Sequence, residues 1–131
     1  MRKDIIIPVV EEVFIAVIKE WDKDFLAQHW NAYIINGRDT EIEMVLVVTK
    51  GCDDTRKTSV LRHGIGSVAS KSSAKIEMIQ EELLNMENEF AVTFFAENKL
   101  FDKKFIFPKN SIHEKNYQTL PVMNQQGVLS T

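Results

Sequence analysis

Apolar residues recur at every second position over much of this chain, the period of a β-strand. The clearest run is Glu41–Lys50, in which Ile42, Met44, Leu46 and Val48 fall on one side and Glu41, Glu43, Val45, Val47 and Thr49 on the other. The first set is wholly apolar, so parity assigns it to the core. The second is charged at its start and β-branched in its middle, which suits an outer face partly covered by a neighbour. A helix would place apolar side chains at every angle of its wheel and leave part of them uncovered. On parity alone, Leu46→Ala costs about 2–5 kcal/mol and Val47→Ala less.

The same alternation organises the rest of the chain. Asp4–Val10 is apolar but interrupted by Pro8, which cannot donate to a ladder, and so predicts a first, edge strand. Glu11–Trp21 is apolar on both parities, as in a strand covered on both faces, and the Trp-Asp-Lys-Asp stretch after it predicts a turn. His29–Asn36 alternates and runs into Asn36-Gly37, which predicts a short loop joining Trp30–Asn36 to Ile42–Thr49 as sheet neighbours. Thr55–Ile65 mixes small polar, basic and aliphatic residues, as exposed edge strands do, and Gly64–Ser73 reads as a loop. Ala74, Ile76 and Met78 alternate, while Ile76, Ile79, Leu83 and Met86 also fit a helical face. The reading adopted is a strand to about Ile79 followed by one helical turn. Phe90, Val92, Phe94 and Ala96 define a buried strand, with Phe105–Phe107 as its hairpin partner across Glu97–Lys104. After Lys109 the apolar residues Ile112, Tyr117, Leu120, Val122 and Leu129 show no period.

Seven to eight short strands with turn signals every ten residues or so predict an all-β fold, an immunoglobulin-like antiparallel β-sandwich with an irregular C-terminal tail. The expected division is a β-sandwich domain over 1–110 and the tail over 111–131. Trp30 on a middle strand suits the core of such a sandwich. Length and composition agree, since 131 residues with 44% hydrophobic content build one ordinary core without disulfide or metal staples.

Cys52 is the single cysteine and cannot form a disulfide within the chain. The N-terminus lacks a signal-like apolar run, so the expected setting is reducing and cytoplasmic. No window approaches the ~18 apolar residues of a membrane span, and no membrane association is expected. A net charge of −3 and a pI near 5.6 exert no overall attraction on nucleic acid. The charge is nonetheless uneven. Lys50, Arg56, Lys57, Arg62, Lys71 and Lys75 precede a segment, Ile76–Asn98, with six glutamates and no basic residue, and a second basic group follows from Lys99. This division serves cross-strand charge pairing. It also defines a candidate basic surface for a polyanion at Lys50, Arg56, Lys57, Arg62 and His63.

Signals for chemistry are sparse. His29, His63 and His113 sit on separate segments with no metal-type spacing to one another or to Cys52, so neither a metal nor a cofactor is expected. Asp53 and Asp54 beside Cys52 would raise a thiol pKa and weaken it as a nucleophile. Gly64-Ile-Gly66 lacks the third glycine and the strand–helix context of a dinucleotide loop. Phe101–Phe107 with Lys103, Lys104 and Lys109 has the composition of a base-stacking strand, yet Phe105 and Phe107 share the parity of the core.

The runs Trp-Asn-Ala-Tyr-Ile-Ile-Asn, Ile-Glu-Met-Val-Leu-Val-Val-Thr-Lys-Gly, Arg-Lys-Thr-Ser and Glu-Phe-Ala-Val-Thr-Phe-Phe-Ala-Glu-Asn-Lys resemble a family of small uncharacterised bacterial proteins over about Ile5 to Asn110. Some relatives carry a phenylalanyl-tRNA synthetase label. The chain is too short for a class II catalytic domain and has no arginine-bearing or glycine-rich ATP motif, so the label implies at most an accessory module. The functional expectation is a non-enzymatic binding or protein-interaction module, with a protein partner or a second copy as its ligand. The alternative is an RNA- or tRNA-binding accessory module that uses the basic segment 50–63.

Overall fold

In the computed structural model, which describes residues 10–131, the alternating runs form two antiparallel sheets packed face to face. The strands are β1 (Val13–Trp21), β2 (Gln28–Asn36), β3 (Ile42–Cys52), β4 (Leu61–Val68), β5 (Ser72–Ile79), β6 (Glu87–Ala96), β7 (Lys99–Phe107), β8 (Gln118–Thr119) and β9 (Gln126–Leu129). One sheet has the order β5-β2-β1-β9-β8 and the other β4-β3-β6-β7. The first, second and fifth strands thus face the third, sixth and seventh, as in immunoglobulin-like sandwiches. The all-β sandwich expected from the alternation is present, with nine strands among the described residues because the C-terminal segment adds two. The strand expected over Asp4–Val10 lies outside the described residues except for Val10, which packs against the core.

The core forms where the inner parities of the two sheets meet. Val13, Ile15 and Val17 of β1 and Trp30, Ala32 and Ile34 of β2 face Val45 and Val47 of β3, Phe90, Val92 and Phe94 of β6, and Phe101, Phe105 and Phe107 of β7. Phe90 meets Phe107 edge to face at 5.7 Å, and Phe94 stacks on Phe101 at 5.1 Å. Each large side chain so buried contributes about 1.5–3 kcal/mol. Trp30 lies in this core, its ring edge-on to Tyr117 at 6.0 Å.

β1 is apolar on both parities because both of its faces are covered. Ala16 and Ile18 on its outer side pack with Ile35 and Leu120, flanked by Met123 and Leu129. The segment after 110 provides that cover. β9 pairs with β1 through Ala16↔Leu129 and Val17↔Val128, and β8 pairs with β9. The approach is close, since a Cβ on Gly127 would lie 2.8 Å from Leu120 and 3.1 Å from the Val17 carbonyl.

Several local expectations are corrected. Trp30–Asn36 and Ile42–Thr49 are not neighbours: β2 and β3 belong to different sheets, and residues 37–41 cross between them. Asn36 does not serve as a hairpin residue there. Its side chain is fully buried, with Nδ2 donating to the carbonyls of Thr40, Val68 and Ala69 at 3.0–3.1 Å and Oδ1 accepting from Arg38 N at 3.0 Å. It fastens the crossing to the turn between β4 and β5. The hairpin partner of β2 is β1, through a loop in which Asp22 Oδ1 accepts from the amides of Asp24 and Leu26, and β5 pairs on its other side. The edge strand expected over Thr55–Ile65 is β4, starting at Leu61. Gly64–Ser73 is strand at both ends rather than loop, with the turn confined to residues 69–71. β5 and the 3-10 turn Glu81–Asn85 follow the adopted reading of that region. The hairpin of β6 and β7 is also present. Its turn is only Glu97-Asn98, both at positive φ, a backbone twist that matches the strands it joins.

The largest correction concerns β3. Glu43 is opposite Phe95 and Leu46 opposite Thr93, so three steps on β3 match two on β6, and Met44 sits in the extra position at φ 50°. A β-bulge of this kind reverses the parity beyond it. Ile42 points inward before the bulge, and Val45, Val47 and Thr49 point inward after it. Met44 is 72% exposed and Leu46 38%, whereas Val47 is 0%. The core face assigned from alternation therefore holds only at Ile42.

Two stability outcomes follow. Val47→Ala should cost about 2 kcal/mol, from two buried methyl groups and the void they leave, and Leu46→Ala about 1 kcal/mol or less. Urea midpoints of the two variants beside the parent check the order. Asn36→Ala, which strips three carbonyls of their donor, should cost about 2–4 kcal/mol in the same assay, and Asn36→Asp, facing them with an acceptor, should be no better tolerated.

Candidate binding site

A second bulge brings a carboxylate to the inner side of the sandwich. On β5, Glu77 is opposite Ala32 and Lys75 opposite Tyr33, so Ile76 is the extra residue and both Ile76 and Glu77 turn inward, leaving Met78 39% exposed. Glu77 then lies at the open side of the sandwich, between β5 of one sheet and β4 of the other, which share no ladder. Its side chain is 12% exposed. Thr49 Oγ1 of β3 donates to Glu77 Oε1 at 3.0 Å, and His63 Nε2 of β4 bonds the same oxygen. One carboxylate thereby links three strands drawn from both sheets. The order of groups is hydroxyl, carboxylate, imidazole. Activation of a hydroxyl nucleophile requires the imidazole at the hydroxyl, so this arrangement holds the edge and presents a carboxylate.

Beside the cluster is a cavity of about 150 Å³ walled by Gly51, Leu61, Leu83 and Phe90, with Thr49 and Glu77 on one side. Glu82, Lys50 and Ser59 also line it. Leu83 lies close over Gly51, where an added Cβ would meet its Cδ2 methyl at 2.7 Å and displace that side chain.

A second surface of interest is the outer face of the four-stranded sheet. The bulge at Met44 turns Met44 and Leu46 outward, and the register puts them beside Phe95 and Leu100, which are opposite one another on β6 and β7. All four are exposed. Toward the other end of the same strands are Lys50, Glu89, Asp102 and Lys104, with Lys50 Nζ 3.8 Å from Glu89.

The five residues of the candidate basic surface are distributed over several environments. Lys50 and Arg62 face outward, Arg62 opposite Val48. His63, opposite the inward Val47, faces between the sheets. Arg56 and Lys57 lie in the loop after β3, where Lys57 bridges to Cys52 and the Arg56 guanidinium binds Asp53 Oδ2 at 2.8 and 3.0 Å. Asp53 Oδ1 accepts from the amides of Thr55 and Arg56 at 2.9 and 2.7 Å. The Thr55 amide first, and the Arg56 side chain second, lower its pKa from 3.8 to about 2.

His29 lies 3.8 Å from Asp22, and His113 Nδ1 accepts from Lys115 N. Among the described residues no three His, Cys, Asp or Glu side chains are placed to hold a metal. Gly64 and Gly66 are in β4, Gly66 at φ 84°, where a register shift opposite Val45 and Leu46 places one more residue in β4. Of the aromatic–basic run, Phe101, Phe105 and Phe107 are core, and Lys103 extends over the Phe105 ring at 4.9 Å. A charge at an inward position of an edge strand discourages pairing with another chain.

Sequence reasoning missed Glu77 and the Met44 face because each depends on a bulge, which leaves alternation of apolar residues intact in the sequence. It also missed the outer cluster in which Tyr33 Oη and Asn31 Nδ2 both donate to Glu20 Oε1, at 2.6 and 2.9 Å. Burial, then the bond to Glu20, pushes the Tyr33 pKa well above the ordinary value of 10.

No protein family, curated protein or solved structure matches the chain. No helix among the described residues is long and apolar enough to cross a membrane.

The Asp53 loop makes a pH prediction. Its carboxylate is favoured in the folded state, so its contribution is present above about pH 4 and lost as pH falls through about 2. Carboxyl-carbon NMR titration should place the Asp53 midpoint near 2, and Arg56→Ala should move it back toward 3.8.

Proposed function

We propose that the protein is a non-enzymatic binding module that docks a protein partner on the outer face of its four-stranded sheet. The observation that carries this reading is Met44. A non-glycine residue at φ 50° is strained by about 1–3 kcal/mol, and here the strained backbone delivers apolar side chains into water. Met44, Leu46, Phe95 and Leu100 supply an apolar patch at one end of the face, and Asp102, Lys104, Lys50 and Glu89 a polar region running from it toward the other end, a mixture that suits a transient protein interface. The reading sets the protein in the cytoplasm, where Cys52, half-buried and without a partner cysteine, suits a reducing medium.

The RNA-binding alternative draws less support, because acids stand beside three of the five residues: Glu89 by Lys50, Asp53 by Arg56 and Glu77 by His63. Affinity capture from lysate, read by mass spectrometry, tests the proposal with the parent and a Met44→Ser/Leu100→Ser variant of equal melting temperature. At least one protein retained by the parent should be lost by the variant. Identical sets from the two baits would refute docking at this face. Capture of tRNA by both baits, weakening steeply with salt, would favour the alternative.

A further inference from the structure

The cavity beside Glu77, at the Gly51 end of β3, shares only Lys50 with the outer-face residues named above and has its own chemistry. Its volume, about 150 Å³, matches a cavity that holds one benzene-sized group. Phe90, Leu83 and Leu61 supply apolar walls. Into this apolar space the β5 bulge aims a carboxylate, and both protein contacts to that carboxylate fall on one oxygen, Glu77 Oε1. Among the described residues none donates to Oε2. Oε2 is not a sealed orphan, since the one buried side-chain atom without a partner among the described residues is Arg38 Nε; the carboxylate oxygen stays open to solvent and is the acceptor available to a ligand here.

The remaining charges set the sign of the ligand. Glu82, exposed on the turn Glu81–Asn85, is a second carboxylate on the lining. Lys50, the single cation of the lining, has its ammonium 3.8 Å from Glu89 across the outer side of the sheet. An anion would meet two carboxylates and a lysine already engaged. A neutral hydrocarbon would fill the apolar walls but leave Oε2 without a donor. A compact cation with a small apolar body satisfies both parts.

We propose that this cavity binds a small primary ammonium bearing one aromatic or branched aliphatic group, the ammonium donating to Glu77 Oε2 near Glu82 and the apolar group lying against Phe90, Leu83 and Leu61. The geometry is that of a ligand pocket in miniature, a mostly apolar lining with few convergent polar atoms. His63 and Thr49 act as positioning residues. By holding Oε1 they fix the carboxylate plane and leave the other oxygen turned to the ligand.

Nitrogen–proton correlation spectra during titration with phenethylamine, phenethyl alcohol and phenylpropionate test the assignment, because the three share a ring and differ in the polar end. Phenethylamine should produce saturable shifts at Gly51, Leu61 and Leu83 in the millimolar range or below. It should bind at least about tenfold more tightly than the alcohol, the gain expected of a charge-assisted hydrogen bond, and the carboxylate should not bind. Glu77→Gln should remove that preference for the amine, and Glu82→Gln should weaken the amine by a smaller factor. Glu82 lies outside the Thr49–Glu77–His63 cluster, so its variant decides the matter if Glu77→Gln does not fold. The Met44→Ser/Leu100→Ser variant should bind the amine as the parent does, which separates this site from the docking face. Equal affinity for amine and alcohol, shifts remote from the cavity, or no saturation with any amine would overturn the proposal.

Discussion

The extra residue at Met44 governs the relation between core and surface in the four-stranded sheet. Before it, Ile42 faces the core; beyond it, Val45, Val47 and Thr49 do, and this second set matches the inward Phe90, Val92 and Phe94 of β6. Without the bulge the inward residues beyond Ile42 would be Met44, Leu46 and Val48, larger at two positions, against the same phenylalanines. Close-packed cores tolerate such added volume poorly. The bulge also has an outward consequence, since the residues excluded from the core become the apolar outer face. Packing inside and binding potential outside thus arise from one backbone irregularity.

The five-stranded sheet solves a different problem. β1 is apolar on both faces, and a sandwich covers only one of them. The chain after 110 returns to cover the other with Leu120 and flanking side chains, and its last strand joins the β1 ladder. At one end of the molecule, Asn36 ties the crossing between sheets to the β4–β5 turn through bonds to backbone carbonyls. Lys71 Nζ, donating to the Gly37 carbonyl at 2.6 Å, and Ser70, donating to that of Arg38, add to the same fastening. Sheets that share no ladder are held together there by side chains reaching backbone.

At the open side, polar groups do work that apolar packing does at the centre. Glu77 joins Thr49 and His63 across the gap between sheets, and Gly51 and Leu83 line the adjacent cavity. Buried polar clusters are tolerated when their members are mutually satisfied, and here a single carboxylate oxygen serves both neighbours.

Much of this fold was legible in the sequence. Period-two alternation marked β1, β2, β3, β6 and the end of β7, the double-faced apolar pattern of β1 signalled cover on both sides, and the break after Ile79 located the 3-10 turn. These features are local, because backbone geometry ties alternation to strand and polar punctuation to turn. What only the tertiary structure decided was which way residues face after a bulge and which strands become neighbours. At Met44 and Ile76 the extra residue is itself apolar and stands in phase with the apolar residues two positions away, so one inserted position leaves no mark in the alternation while reversing every side chain beyond it. Asn36-Gly37 has the composition of a hairpin, yet the burial of Asn36 against three carbonyls sends the chain to the other sheet. Sheet partition, core face and the inward turn of Glu77 depend on contacts between residues distant in sequence, and the alternation of apolar and polar positions carries no record of them.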